Sequence, residues 1–159
     1  MNTNPNVAPD TLPPHATALG YAGLIPFIAC ALAMLTTGEP PLRHVAERLL
    51  IGYGAVILAF LGGVHWGLVL RQHSDRAAMM LAIGIMPALT GVASTFMTFE
   101  MAVVVQVTLF GGFWFYENRV LGPGRVPAPY LALRRWLSLA AIAALGLSLM
   151  STELVSVHP

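Results

Sequence analysis

Two ionisable side chains stand where an apolar chain rarely carries them. His65 lies in FLGGVHWG, about six residues before Arg71, and Glu117 closes the run LFGGFWFYE just before Arg119. If both runs cross a bilayer as helices, the imidazole lies roughly 9 Å inside the boundary, at about 1.5 Å per residue. An ionisable group at that depth is a candidate functional site in its own right. The chemistry open to the pair is proton exchange or capture of a polar ligand, since a neighbouring carboxylate tunes the protonation of an imidazole. The structural alternative is as concrete. His65 can be a neutral ring donating one hydrogen bond between helices, and Glu117 one half of an interfacial ion pair that orients two of them. A carboxylate at a helix C-terminus opposes the dipole and calls for a cation. Arg119, Arg71 and Arg76 match Glu117 in depth. Tyr21, Trp66, Trp114 and Tyr116 fall at the same level. Together they can line a shallow pocket open to the cytoplasmic leaflet, although an aromatic belt gives the same pattern with no ligand.

Other chemistries lack their residues. There is no His-Glu-x-x-His pair, no Gly-x-Ser-x-Gly elbow, no phosphate-cradling glycine loop and no aspartate cluster. Cys30 is the only cysteine, which removes an internal disulfide and a cysteine metal site. A haem held by two histidines needs a second one at the depth of His65, and no carboxylate lies mid-span to carry a cation with protons. No catalytic residue, metal or cofactor is therefore implied. A net charge of +1 with eight arginines and no lysine resembles no nucleic-acid surface.

The elements that position His65 and Glu117 follow from hydropathy. The chain has 159 residues, 57% hydrophobic and 9% charged, more apolar surface than a soluble domain of this size can hide. Five runs have about the 20 residues a spanning helix needs. The fold class is all-α: a polytopic five-helix membrane bundle with spans at about 18–37, 49–70, 77–97, 99–116 and 136–152. Residues 1–16 are expected to be a disordered tail, 17–153 one transmembrane domain and 154–159 a short C-terminal tail. The N-terminal stretch has neither the basic residues of a signal peptide nor the arginines of a transit peptide, so the first span is expected to direct insertion. The break between spans three and four belongs near Thr98, with Glu100 in the first turn of the next helix. Arg71, Arg76, Arg119, Arg125, Arg134 and Arg135 share one face, and only Arg43 and Arg48 the other. The positive-inside rule then places the N-terminus in the cytoplasm and the C-terminus outside. Trp66, Trp114 and Trp136 near the cytoplasmic ends agree with it.

Small residues mark the expected helix contacts. On span two Gly52, Ala55, Ala59, Gly62 and Gly63 share an arc of roughly 100°, and close backbone approach along such a stripe holds membrane helices together. Gly84 and Gly91 repeat one face of span three around Pro87, which is expected to kink it. Gln106, Thr90 and Ser94 read as interhelical hydrogen-bonding residues. Glu47 lies one helical step from Arg43, while Glu153 and His158 belong to the outer end.

LGYAGLIPF (19–27), YGAVILAFLGGVHWG (53–67) and GIMPAL (84–89) resemble a family of small uncharacterised membrane proteins. These are the transmembrane-protein-69-like proteins (domain of unknown function 3429), found in bacteria and mitochondria. The resemblance runs from about Leu19 to the fifth span. It implies a five-helix membrane protein and marks Tyr53, Gly54, Gly62, Gly63, His65, Trp66 and Gly67 as motif positions. Tyr53 thereby joins the candidate site, and Gly67 the packing face. The resemblance implies no activity, cofactor or substrate, and the bacterial branch fits the N-terminus better. The expected function is that of a non-enzymatic accessory or assembly protein for another complex of a bacterial inner membrane. Its expected partners are the lipid bilayer and either other membrane proteins or a second copy, with no nucleic acid. The alternative is a small transporter, or a lipid- or quinone-binding protein, with its site at the level of His65 and Glu117.

Overall fold

The computed structural model describes residues 12–70, 76–120 and 128–156, and every element among them is a helix. The expected tail up to residue 11, Arg71, Arg125 and its glycine–proline connection, His158 and the side chain of Glu153 lie outside the described residues. The helices are α1 (Pro14–Ala22), α2 (Ile25–Thr36), α3 (Pro40–Leu70), α4 (Ala77–Ser94), α5 (Phe99–Val120) and α6 (Ala128–Ser156). Five segments are long and apolar enough to cross a membrane, with α1 and α2 together forming the first.

Three boundaries differ from the sequence reading. The first span is broken at Gly23–Leu24, because Pro26 at the start of α2 has no N–H to give the preceding turn. The Gly23 carbonyl in this break accepts a hydrogen bond from the Tyr53 hydroxyl at 2.9 Å, which pins the break to α3. Helix α3 is continuous from Pro40, well before Leu49, with proline at a position where the missing donor costs nothing. Its early charges are satisfied locally. Arg43 donates to Glu47 at 3.2 Å, to the Met34 carbonyl at 3.3 Å and to Ser151 Oγ at 3.2 Å, clamping α2, α3 and α6 at one end. Helix α6 begins at Ala128, two turns before the expected Trp136, so Arg134 belongs to the helix and not to the connection.

The main core is an apolar cluster including Phe27, Met34, Leu50, Leu58, Phe110 and Leu145, with a smaller one around Val69 and Met80. Phe27 meets Tyr53 and Phe110 edge-on, at 5.2 and 6.0 Å between ring centres. The small-residue stripe divides. Ala55 and Gly62 are buried, and a Cβ built on Gly62 would collide with the Gly84 carbonyl oxygen of α4. One on Gly91 would stand 3.3 Å from the Ala55 Cα. Gly52, Ala59, Gly63 and Gly67 are a correction: they do not pack inside the bundle. A Cβ on any of the three glycines meets nothing within 4 Å, and Ala59 is exposed. The physical reason is angular. At 100° per residue they lie roughly 40–140° around the helix from Ala55 and Gly62, past the edge of the buried face.

Gln106 is the interhelical residue the sequence predicted. Its Nε2 donates to the Ile51 carbonyl of α3 at 2.8 Å and to Ser94 Oγ of α4 at 3.0 Å. Gly54 leaves room for this amide, which a Cβ there would displace. Thr90 is a correction, because its hydroxyl bonds back to Met86 O of its own helix.

Candidate functional site

Helices α3, α5 and α6 each bring one ionisable residue to the same buried point. His65 is fully buried and Glu117 and Arg134 are 1% and 5% exposed. Arg134 Nε donates to Glu117 Oε2 at 3.0 Å, and its Nη1 to Ser138 Oγ at 3.1 Å. The other carboxylate oxygen faces His65 Nδ1 at 3.9 Å, too far for a hydrogen bond. Phe113 and Tyr116 pack against the imidazole, with ring centres at 5.5 and 5.4 Å. The backbone of Met80 on α4 lies near enough to influence the ring, and the Tyr130 hydroxyl approaches Arg134 from the preceding turn of α6. Five polar atoms here are buried without a hydrogen-bond partner: both ring nitrogens of His65, Glu117 Oε1, Arg134 Nη2 and Tyr116 Oη. Membrane interiors supply no water to such atoms, so a cluster of them is costly to bury.

The sequence placed His65 and Glu117 together, and they are neighbours. It missed the cation. Arg119, one expected partner, is exposed and lies over the Phe115 ring at 5.3 Å; Arg76 is likewise exposed at the surface. Arg134 takes the role because α6 starts early enough to carry it into the core. The signal that could have found it is the spacing Tyr130–Arg134–Ser138, one polar residue per helical turn on a single face.

Other predicted site residues separate from the pair. Tyr53 is a strut for the α1–α2 break. Tyr21 is 49% exposed on α1. Trp66 points away from the core and donates from Nε1 to the Leu81 carbonyl at 2.8 Å, strapping α3 to α4. Trp114 stays half-buried beside Glu117's helix turn. The shallow pocket expected from these aromatics together with His65 and Glu117 is not formed, because both ionisable residues are sealed. Instead, two lipid-side grooves flank the cluster. One of about 220 Å³ between α4 and α5 is lined by Phe113 and Tyr116. The other, about 230 Å³, reaches Arg134 and Ser138. A further open cavity of about 960 Å³ lies near the opposite end of α3 beside His44, Arg48 and Phe96 and is lined by none of the predicted site residues.

One imidazole and one carboxylate cannot complete a metal's coordination, and no three His, Cys, Asp or Glu side chains converge among the described residues. The arrangement can hold a proton or donate hydrogen bonds to a ligand.

A family described as protein of unknown function (DUF3429) matches residues 12–150. The chain is 33% identical to "Transmembrane protein 69" of Xenopus tropicalis over 154 residues, covering 92% of this chain and 57% of the frog protein. It is 43% identical to "Transmembrane protein 69" of Mus musculus over 63 residues, 39% of this chain and 24% of the mouse protein. The chain thus spans little more than half the length of the first of these relatives. No solved structure matches it. On the extent of that match, the chain belongs to the DUF3429 family.

Proposed function

We propose that this membrane protein is a non-enzymatic accessory or assembly component for another complex of a bacterial inner membrane, and that it meets its partner through the outward face of α3. The observation that carries the reading is the small-residue face left unused by the bundle. Ala59, Gly63 and Gly67 recur every four residues, and a Cβ at either glycine meets open space. In lipid, such a face lets a second helix approach to backbone distance, where dispersion and weak hydrogen bonds drive association. α3 therefore carries two small-residue seams. One is spent on α4, and the other is free for a partner.

A photocrosslinking residue at position 63 tests this in native membranes. It should give a discrete adduct with one membrane protein, while the same group at Val92, exposed on α4, should not. Gly63→Leu should abolish that complex while changing bundle stability by no more than about 0.5 kcal/mol, the usual range for exposed positions. An unchanged complex in Gly63→Leu would refute the face. An adduct of twice the chain's mass would replace the partner by a second copy.

The orientation belongs to the same proposal. Arg76, Arg119 and Arg135 are exposed at the end shared by the N-terminus of α1 and the C-terminus of α5. By the positive-inside rule that end faces the cytoplasm. A reporter active only in the cytoplasm should work when fused before Met1 and stay silent after Pro159. The reverse pattern would turn the molecule over and move the His65 cluster to the outer leaflet.

A further inference from the structure

The groove that reaches Arg134 differs from the lipid-facing clefts any helix bundle presents. Its rim is apolar and exposed, with Leu19 at 72% and Phe60 at 64%, so it opens toward acyl chains and not toward water. Its walls are Gly23, Phe27 and Leu61 on the α2–α3 side and Leu137 on α6. Arg134 and Ser138 are its polar lining residues. The Arg134 guanidinium uses Nε on Glu117 and Nη1 on Ser138 and has the Tyr130 hydroxyl nearby, while Nη2 is buried with no hydrogen-bond partner. An apolar trough lined by a residue with an unpaired charged donor has the parts of a binding site.

We propose that this groove takes the carbonyl end of an apolar molecule drawn from the bilayer, its oxygen accepting a hydrogen bond from Arg134 Nη2. Three features define the ligand. The site offers donors, so the head must accept. Glu117 already balances Arg134, so an anionic head would leave a net negative charge in a low-dielectric interior. A neutral carbonyl satisfies Nη2 without that cost. The groove's 230 Å³ falls below the roughly 300–1,000 Å³ of sites that enclose a whole small molecule. It therefore seats a head or ring, and the tail remains among the lipids. A quinone and an acyl-ester glycerolipid both carry this chemistry.

The test uses the detergent-purified full chain and four probes: a decyl-substituted benzoquinone, a dioleoyl ester glycerolipid, its dioleyl ether counterpart without carbonyls, and oleate. The quinone, the ester or both should raise the unfolding midpoint saturably by a few degrees, as ligands of the native state do, and the ether should not. Which of the two acts identifies the source. Two variants separate donor from trough. Arg134→Met combined with Glu117→Gln removes the donor while keeping the buried charge at zero. Leu24→Trp fills the groove and leaves the Arg134–Glu117 pair in place. Each should lose the shift. The proposal is overturned if the ether matches the ester, if oleate alone acts, if no probe acts, or if either folded variant keeps the parental shift.

Discussion

Arg134→Met alone should destabilise the bundle by about 3–5 kcal/mol, the range found when one partner of a buried ion pair is removed. The loss comes less from the missing bond than from what remains. Glu117, 1% exposed, would keep a carboxylate in the core with only an imidazole 3.9 Å away and no water to solvate it. Met fills comparable space, so the effect reads charge and not volume. Adding Glu117→Gln removes the stranded charge and should restore most of the stability. Unfolding in a denaturing-detergent titration gives the four corners of the cycle, and the coupling energy should exceed 1 kcal/mol, as for residues in one network. A single-variant cost near zero, or a double variant no better than the single, would mean that Arg134 is not what holds Glu117 in the core.

That pairing shows where the sequence was informative and where it was not. Hydropathy and length announced five spans, and the depth of His65 and Glu117 announced a buried polar level, because both arguments need only local sequence. Arginine was treated as the marker of a span boundary, so Arg134 fell into a loop. Within the fold, three residues of α6 turn a charge inward because Glu117 and Ser138 receive it, and that pairing is non-local. The division of the α3 stripe was equally hidden. Its arc was legible, but which edge faces α4 depends on Gly84 and Gly91, which approach from another span. The α1–α2 break had a local cause in Pro26, yet the apolar run reads straight through it. The Tyr53 hydroxyl, arriving from α3, takes up the Gly23 carbonyl in that break. Gly54 reads in the sequence only as a motif position for a similar reason, since the side chain that a Cβ there would meet belongs to Gln106 on α5.

Gly62→Ala should destabilise the bundle at the upper end of the about 1–3 kcal/mol that overpacking costs, while Gly63→Ala one position on should be neutral or slightly stabilising. The opposite signs follow from what each methyl meets. At position 62 it would run into the Gly84 carbonyl oxygen, a backbone atom that cannot rotate aside, so α4 must move away. Moving α4 loosens two further contacts on the same seam. Gly84 is itself wedged against Trp66 and His65, where its own Cβ would stand 2.8 Å from Trp66 Cδ1 and 3.0 Å from His65 Cδ2. The strap from Trp66 Nε1 to the Leu81 carbonyl also spans the two helices. At position 63 the methyl enters open space, and alanine's helix propensity, worth about 1 kcal/mol over glycine, acts alone. Thermal unfolding in detergent should therefore move the two midpoints apart. Tryptophan emission in Gly62→Ala should also change as the indole of Trp66 loses its carbonyl acceptor. Equal midpoints would show that α3 and α4 do not meet at Gly62, and would remove the wall that keeps His65 sealed on that side.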